Sequence, residues 1–182
     1  MTTPRRIILL TGPPGAGKTT VADLLSRRSP EALAAHVRTD DFYSNIKKGW
    51  IAPWRPESHA QNLVMVEAMI ASAVAYARGG YEVVMDGIAT DWVKQAFVEA
   101  AQREALVLDF VVLLPDLATA AQRARDRTHD PLPDYAPYEV LYGLFAREPA
   151  RHTLDSRDMA PEALAVEIRA GIAAGRFALP AR

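Results

Sequence analysis

Arg5-Arg6-Ile7-Ile8-Leu9-Leu10-Thr11, followed by Gly12-Pro13-Pro14-Gly15-Ala16-Gly17-Lys18-Thr19-Thr20, is the stretch that decides the fold. An apolar, β-branched run stops at a glycine. Gly12, Gly17, Lys18 and Thr19 then fall at the Walker A spacing of Gly, four residues, Gly, Lys, Ser or Thr. Glycines at 12, 15 and 17 let successive backbone N–H groups turn inward toward a phosphate. The amphipathic run after it (Val21, Leu24, Leu25) predicts a helix whose N-terminus adds its dipole to the cradle. Residues 12–20 are therefore the expected nucleotide-binding set. Lys18 would reach the β- and γ-phosphates, the Thr19 hydroxyl would ligate Mg²⁺, and Thr20 would face the nucleotide from the helix.

Composition limits the alternatives. A chain of 182 residues suits one well-buried domain, and 49% hydrophobic with 24% charged residues is a globular balance. A net charge of -1 gives no support to a nucleic-acid or anionic-membrane surface, so phosphate recognition has to be local. With no cysteine, disulfides and thiolate metal or redox sites are impossible. No signal-peptide pattern precedes the motif and no uninterrupted apolar run reaches spanning length, so a cytoplasmic protein without a membrane partner is expected. Nothing in one dimension marks an oligomer interface.

Working outward, a helix is predicted over 18–28, and Ser29-Pro30 breaks it. Ala34 to Thr39 is a short second strand running into Asp40-Asp41. Ligands of an open α/β sheet gather beyond the carboxyl ends of its strands, so both carboxylates are site candidates. Residues 42–56 show no clean period and are expected as a loop with a short helix; Trp50, Trp54 and Arg55 in it are candidate acceptor contacts. Helical spacing runs from Glu57 to Arg78, and Gly79-Gly80 stops it. Tyr81 to Gly87 is the third strand, ending on Asp86, a Walker B-like carboxylate for Mg²⁺ or substrate. Asp91 is expected to cap a helix to about Glu104.

Leu106 to Leu114 reads as a nearly continuous apolar strand, interrupted only by Asp109, as in a parallel sheet covered on both faces. Pro115-Asp116 opens a helix carrying Arg123 and Arg127, expected on one face and able to close on a transferring phosphoryl group. A lid is expected over about 116–150, a short fifth strand over Arg151 to Asp155, and a last helix over Pro161 to Ala174. Strands alternating with helices predict an α/β three-layer sandwich around a five-stranded parallel sheet, in one domain over residues 1–182.

With these features placed, the chain resembles the P-loop small-molecule kinases, nearest to the chloramphenicol-phosphotransferase-like, gluconate-kinase-like and zeta-toxin-like branch. Thr39-Asp40-Asp41-Phe42-Tyr43, then Ile46-Lys47-Lys48-Gly49, Pro53-Trp54 and Ser58-His59, also look like bacterial AAA-type P-loop proteins of unassigned substrate. The resemblance implies a nucleoside-monophosphate-kinase-like P-loop fold with a helical lid, ATP with Mg²⁺, and a small-molecule hydroxyl acceptor. It further implies Asp40 as the acceptor-orienting carboxylate with Asp41 as the close second, Arg123 and Arg127 as the phosphoryl arginines, and Arg157 beside the adenine. A nucleotide or nucleoside kinase, or a P-loop ATPase working on nucleic-acid ends or a protein partner, are the other readings. The first would ordinarily need acceptor-site arginines between the second and third strands, where the irregular segment offers Arg55 with Lys47 and Lys48.

Overall fold

The computed structural model describes residues 5–180. Five strands form one parallel sheet in the order β2-β3-β1-β4-β5: β1 Arg6–Thr11, β2 Ala34–Arg38, β3 Glu82–Asp86, β4 Val107–Leu113 and β5 Thr153–Leu154. Between and after them come α1 Lys18–Arg27, α2 Thr39–Ser44, α3 His59–Arg78, α4 Asp91–Arg103, α5 Leu117–Arg125, α6 Glu139–Phe145 and α7 Pro161–Ala173. The α/β sandwich expected from the alternation of strands and helices is the observed architecture.

The central strand explains the layering. Side chains alternate across a strand, so Ile7 and Leu9 of β1 join the core under α3 and α4, whereas Ile8 and Leu10 join the core under α1 and α7. All four are at most 1% exposed, which is why the run reads as continuously apolar. Burying them contributes roughly 6–12 kcal/mol before conformational entropy is counted. Asp109, the polar interruption in β4, is wholly buried and pairs with Arg6 on the neighbouring strand. Its register partner is Ile8, two residues past the Arg6–Val107 pair. Burial pushes the Asp109 carboxyl above its usual range, against the pull of Arg6.

Several boundaries depart from the sequence reading. A helix, α2, begins directly at Thr39, so Asp40 and Asp41 occupy its first turn rather than a free strand end. The helix expected from Glu57 starts at His59, after a 3₁₀ turn over Pro56–Ser58. Thr90, not Asp91, is the N-cap of α4; the Asp91 carboxylate faces Lys94 at 2.9 Å. The fifth strand shrinks to two residues because the C-terminal tail pairs beside β4 in its place. Phe110 N donates to Phe177 O at 3.0 Å and Leu179 N to Leu108 O at 2.9 Å.

One stretch, Pro56–Arg78, is long and apolar enough to cross a membrane by length and composition, with mean hydropathy 1.3. Its inner face, Val66, Met69, Ala73, Val74 and Ala77, is buried in the core shared with β1, β3 and β4, while Leu63, Val64 and Tyr76 stand exposed.

Candidate active site

The loop between β1 and α1 closes around glycine-only backbone. Gly12 has φ +141° and Gly15 φ +81°. A Cβ on Gly12 would lie 2.1 Å from Leu113 O at the end of β4, and one on Gly15 would lie 2.1 Å from Ala120 O in α5. Both glycines are thus demanded by conformation and by close approach. Gly17, also left-handed, is the N-cap of α1, which starts without a side-chain cap, so its first N–H groups remain open to an anion. The loop's outer carbonyls are held: Tyr135 OH donates to Pro14 O at 2.8 Å and Ser156 Oγ to Ala16 O at 3.1 Å. Thr20 follows on α1, exposed.

Lys18 Nζ donates to Gly12 O at 2.9 Å and Pro13 O at 3.0 Å, folding back over the cradle. Burial lowers its pKa to about 8, partly offset by the charges of Asp86 and Asp40, while Arg127 depresses it further. One ammonium group therefore senses carboxylates from the first turn of α2 and the end of β3 and an arginine from beyond α5.

Asp86, the last residue of β3, is 4% exposed. Its Oδ2 accepts from Thr19 Oγ1 at 2.7 Å, and its Oδ1 lies 2.7 Å from His36 Nε2. A hydroxyl and a carboxylate at the rim of a phosphate cradle are hard oxygen donors, and Mg²⁺ is ordinarily held by one or two such groups together with substrate phosphates. Thr19 and Asp86 fit that ion. His36 was missed in the sequence; it comes from β2 and reaches Asp86 because β2 and β3 are paired with Arg38 opposite Asp86.

Asp40 and Asp41 are separated by their environment. Asp40 is exposed and its charge reaches both Lys18 and Tyr43. Asp41 turns back one helical turn toward Arg38 at 3.6 Å. Trp50 and Trp54 are 51% and 64% exposed, and Arg55 pairs with Glu57 at 3.5 Å in solvent.

The expectation that Arg123 and Arg127 share a helical face is corrected. The helix ends at Arg125, with Asp126 as C-cap, so Arg127 lies in the loop beyond it. Arg123 spends its guanidinium on two backbone carbonyls, Ser156 O at 3.0 Å and Arg157 O at 2.7 Å. Arg157 is itself surrounded by Asp155, Asp158 and Asp116 at 3.2–3.6 Å. Arg123 therefore braces the segment after β5, whereas Arg127 is the arginine whose charge is felt at Lys18 and at Tyr135. Tyr135 and Ser156, the two residues that hold the outer carbonyls, had no signal in the sequence beyond their presence in polar loops.

A family model described as "AAA domain" matches residues 7–150, which span the cradle, Asp40, Asp86 and the segment through α6. The chain belongs to the AAA domain family. No curated protein matches the chain in sequence. Among solved structures, this AAA domain superimposes on the tunicamycin resistance protein of Deinococcus radiodurans (TM-score 0.69, 19% identity), covering 96% of this chain and 98% of that one. It is similar to a gluconokinase from Sinorhizobium meliloti 1021 (TM-score 0.69, 19% identity; 93% of each chain). It is likewise similar to the Mycobacterium tuberculosis APS kinase in complex with AMPPNP and APS (TM-score 0.70, 19% identity; 94% and 99%). At these identities the likeness establishes a P-loop kinase-like α/β fold.

Proposed function

We propose that the protein is an ATP-dependent phosphotransferase whose acceptor is the hydroxyl of a small molecule. The observation that carries the reading is the convergence on Lys18 of the cradle carbonyls, Asp86, Asp40 and Arg127. Structures of proteins named as kinases share the fold over nearly the whole chain, which supports the same reaction class.

In this reading ATP lies with its β- and γ-phosphates on backbone N–H groups of residues 15–20, Pro13 and Pro14 having none to give, and its base beside Arg157. Arg123 holds that base segment in place through Ser156 and Arg157. Mg²⁺, on Thr19 and Asp86, supplies neutralisation of the β/γ-phosphate charge when bound. Lys18 leaves the Gly12 and Pro13 carbonyls for the phosphate oxygens, and an anion at the cradle favours its charged form. Asp40 orients the acceptor hydroxyl. The hydroxyl oxygen bonds to the γ-phosphorus, the bond from phosphorus to the β,γ-bridging oxygen breaks with its electron pair leaving on ADP, and the hydroxyl proton passes to Asp40. Arg127 stabilises the charge in flight.

Asp40 rather than Asp41 takes the orienting role because Asp41 is engaged with Arg38. The lid of this account is the portion near 126–138. Its C-terminal flank is anchored: Phe145 is 2% exposed in the main core, and Lys94 holds Glu148 at 2.5 Å. Ala120, Ala124 and Tyr135 form a small separate cluster that packs this portion against α5.

The testing experiment is a transfer screen with Mg²⁺ and γ-labelled ATP against pooled sugars, nucleosides and hydroxylated antibiotics, with Lys18→Ala as the blank. A labelled product absent from the blank supports the reading. Phosphate release that no small molecule stimulates turns it toward an ATPase acting on a macromolecular partner.

A further inference from the structure

The irregular segment between α2 and α3 is tied in place by side chains bonded to its backbone. Gln61 brackets Ile51, its Oε1 accepting from Ile51 N at 2.8 Å and its Nε2 donating to Ile51 O at 2.7 Å. Asn62 Nδ2 donates to Pro53 O at 2.8 Å, and the buried Ser58 Oγ lies 2.9 Å from Pro53 O and 2.7 Å from Arg55 O. Tyr43 OH donates to Asn62 Oδ1 at 3.1 Å, carrying the network into α2. The segment thus has one shape before anything binds, and that shape leaves Trp54 64% exposed. A preorganised loop that presents an aromatic ring to water is the form of a recognition surface.

The ring is placed by contact with the far side of the site. Trp54 meets Tyr138 edge to face, with centroids 6.1 Å apart and planes at 63°. Tyr138 lies 5.9 Å from Tyr135, and the Tyr135 hydroxyl rests on Pro14 O of the cradle. A row of three rings therefore leads from the phosphate site to the loop that follows Asp40. Of the charged groups around that loop, Arg55 pairs with Glu57, Lys47 with Ser44 O at 2.7 Å and Arg38 with Asp41, which leaves the exposed Lys48, among the described residues, as its one ammonium outside such pairs. A phosphorylated acceptor calls for guanidinium or ammonium donors, whereas a ring face calls for aromatic surface.

We propose that Trp54 and Tyr138 form the specificity-determining wall of the acceptor site, and that the acceptor is an uncharged hydroxylated molecule carrying a ring that packs on them. This inference rests on the phosphotransferase reading and narrows its substrate class.

The test is calorimetric titration of the intact chain in saturating ADP with four probes: uridine, phenyl β-glucoside, mannitol and uridine monophosphate. At least one of the two neutral ring compounds is expected to bind at least about tenfold more tightly than mannitol and uridine monophosphate, the scale of a stacking contact. Trp54→Ala and Tyr138→Ala each weaken that binding about tenfold, while Tyr138→Phe, which keeps the ring, stays within about twofold. ADP affinity is unchanged in all three, which a misfolded variant would not achieve. Mannitol or uridine monophosphate binding as tightly as the ring compounds overturns the proposal. So does ADP binding with no response to either ring compound, or ring binding indifferent to both alanine variants. Failure of ADP itself to bind removes the phosphotransferase reading, and the acceptor wall with it.

Discussion

His36 Nε2 lies 2.7 Å from Asp86 Oδ1, while the other oxygen of the same carboxylate accepts from Thr19. The two contacts fix the Asp86 carboxylate from opposite sides, one from β2 and one from α1. Outer partners of a metal-ligating carboxylate commonly change metal affinity by about 10–100-fold when removed. His36→Ala is therefore expected to raise the Mg²⁺ concentration needed for half-maximal ATP binding by about tenfold, with His36→Asn intermediate. An unchanged Mg²⁺ dependence in His36→Ala would confine this pair to packing.

Arg123 and Arg127 separate into different kinetic effects because they reach different groups. Arg123 holds the Ser156 and Arg157 carbonyls, so Arg123→Ala is expected to raise the KM for ATP several-fold, roughly the loss of one or two charged hydrogen bonds, with a smaller effect on kcat. Arg127 lies within electrostatic reach of Lys18, so Arg127→Ala is expected to lower kcat by about a hundredfold or more with little change in ATP binding. Steady-state kinetics on the two variants decide it, and the reverse pattern would exchange their roles.

Gly15 makes a direct stability test. Its φ of +81° and the 2.1 Å approach of a built Cβ to Ala120 O mean that alanine is strained and also collides with backbone. Gly15→Ala is expected to lose about 1–3 kcal/mol and to lower Tm, while Gly143→Ala, with nothing near its Cβ position and no positive φ, leaves Tm nearly unchanged.

His152 links stability to pH. It is 2% exposed, its Nδ1 lies 3.1 Å from Phe110 O, and its Nε2 accepts from Arg151 Nε at 2.9 Å. Nε2, as an acceptor, is thus committed to the neutral form, and burial lowers the pKa below the ordinary 6.5 against the Phe110 hydrogen bond, which favours the proton. The unfolded chain takes up the proton as pH falls through 6.5 and the folded chain resists it, so stability is retained above that pH and declines below it. Melting at pH 7.5 and 5.5 should show a larger fall in Tm for the wild type than for His152→Gln.

How much of this was legible beforehand depended on whether the interaction was local in sequence. The Walker A spacing at 12–19 and the alternating burial of Ile7 to Leu10 are local patterns, and they led to the cradle and the three layers. The carboxylate ending β3 could be placed at the sheet's carboxyl edge for the same reason. The His36–Asp86 contact could not be read, because it needs the β2–β3 register across a separation of 50 residues. Arg123 and Arg127 were assigned to one face by spacing, but the helix stops at Arg125 and sends Arg123 to carbonyls 33 and 34 residues away. The order of the Trp54 loop was equally hidden, since it comes from Gln61, Asn62 and Ser58 side chains on backbone carbonyls and not from any repeating pattern.

The central claim is that the cradle and Asp40 together move the γ-phosphoryl group of ATP to a hydroxyl. The most direct measurement is label transfer from γ-labelled ATP by wild type and Asp40→Asn, alongside ATP affinity for both. The account predicts transfer lowered at least about a hundredfold in Asp40→Asn with ATP affinity within about threefold, because a positioned acid-base group acts on the acceptor and not on the nucleotide. Undiminished transfer by Asp40→Asn, or an equal loss of ATP binding and transfer, would contradict it.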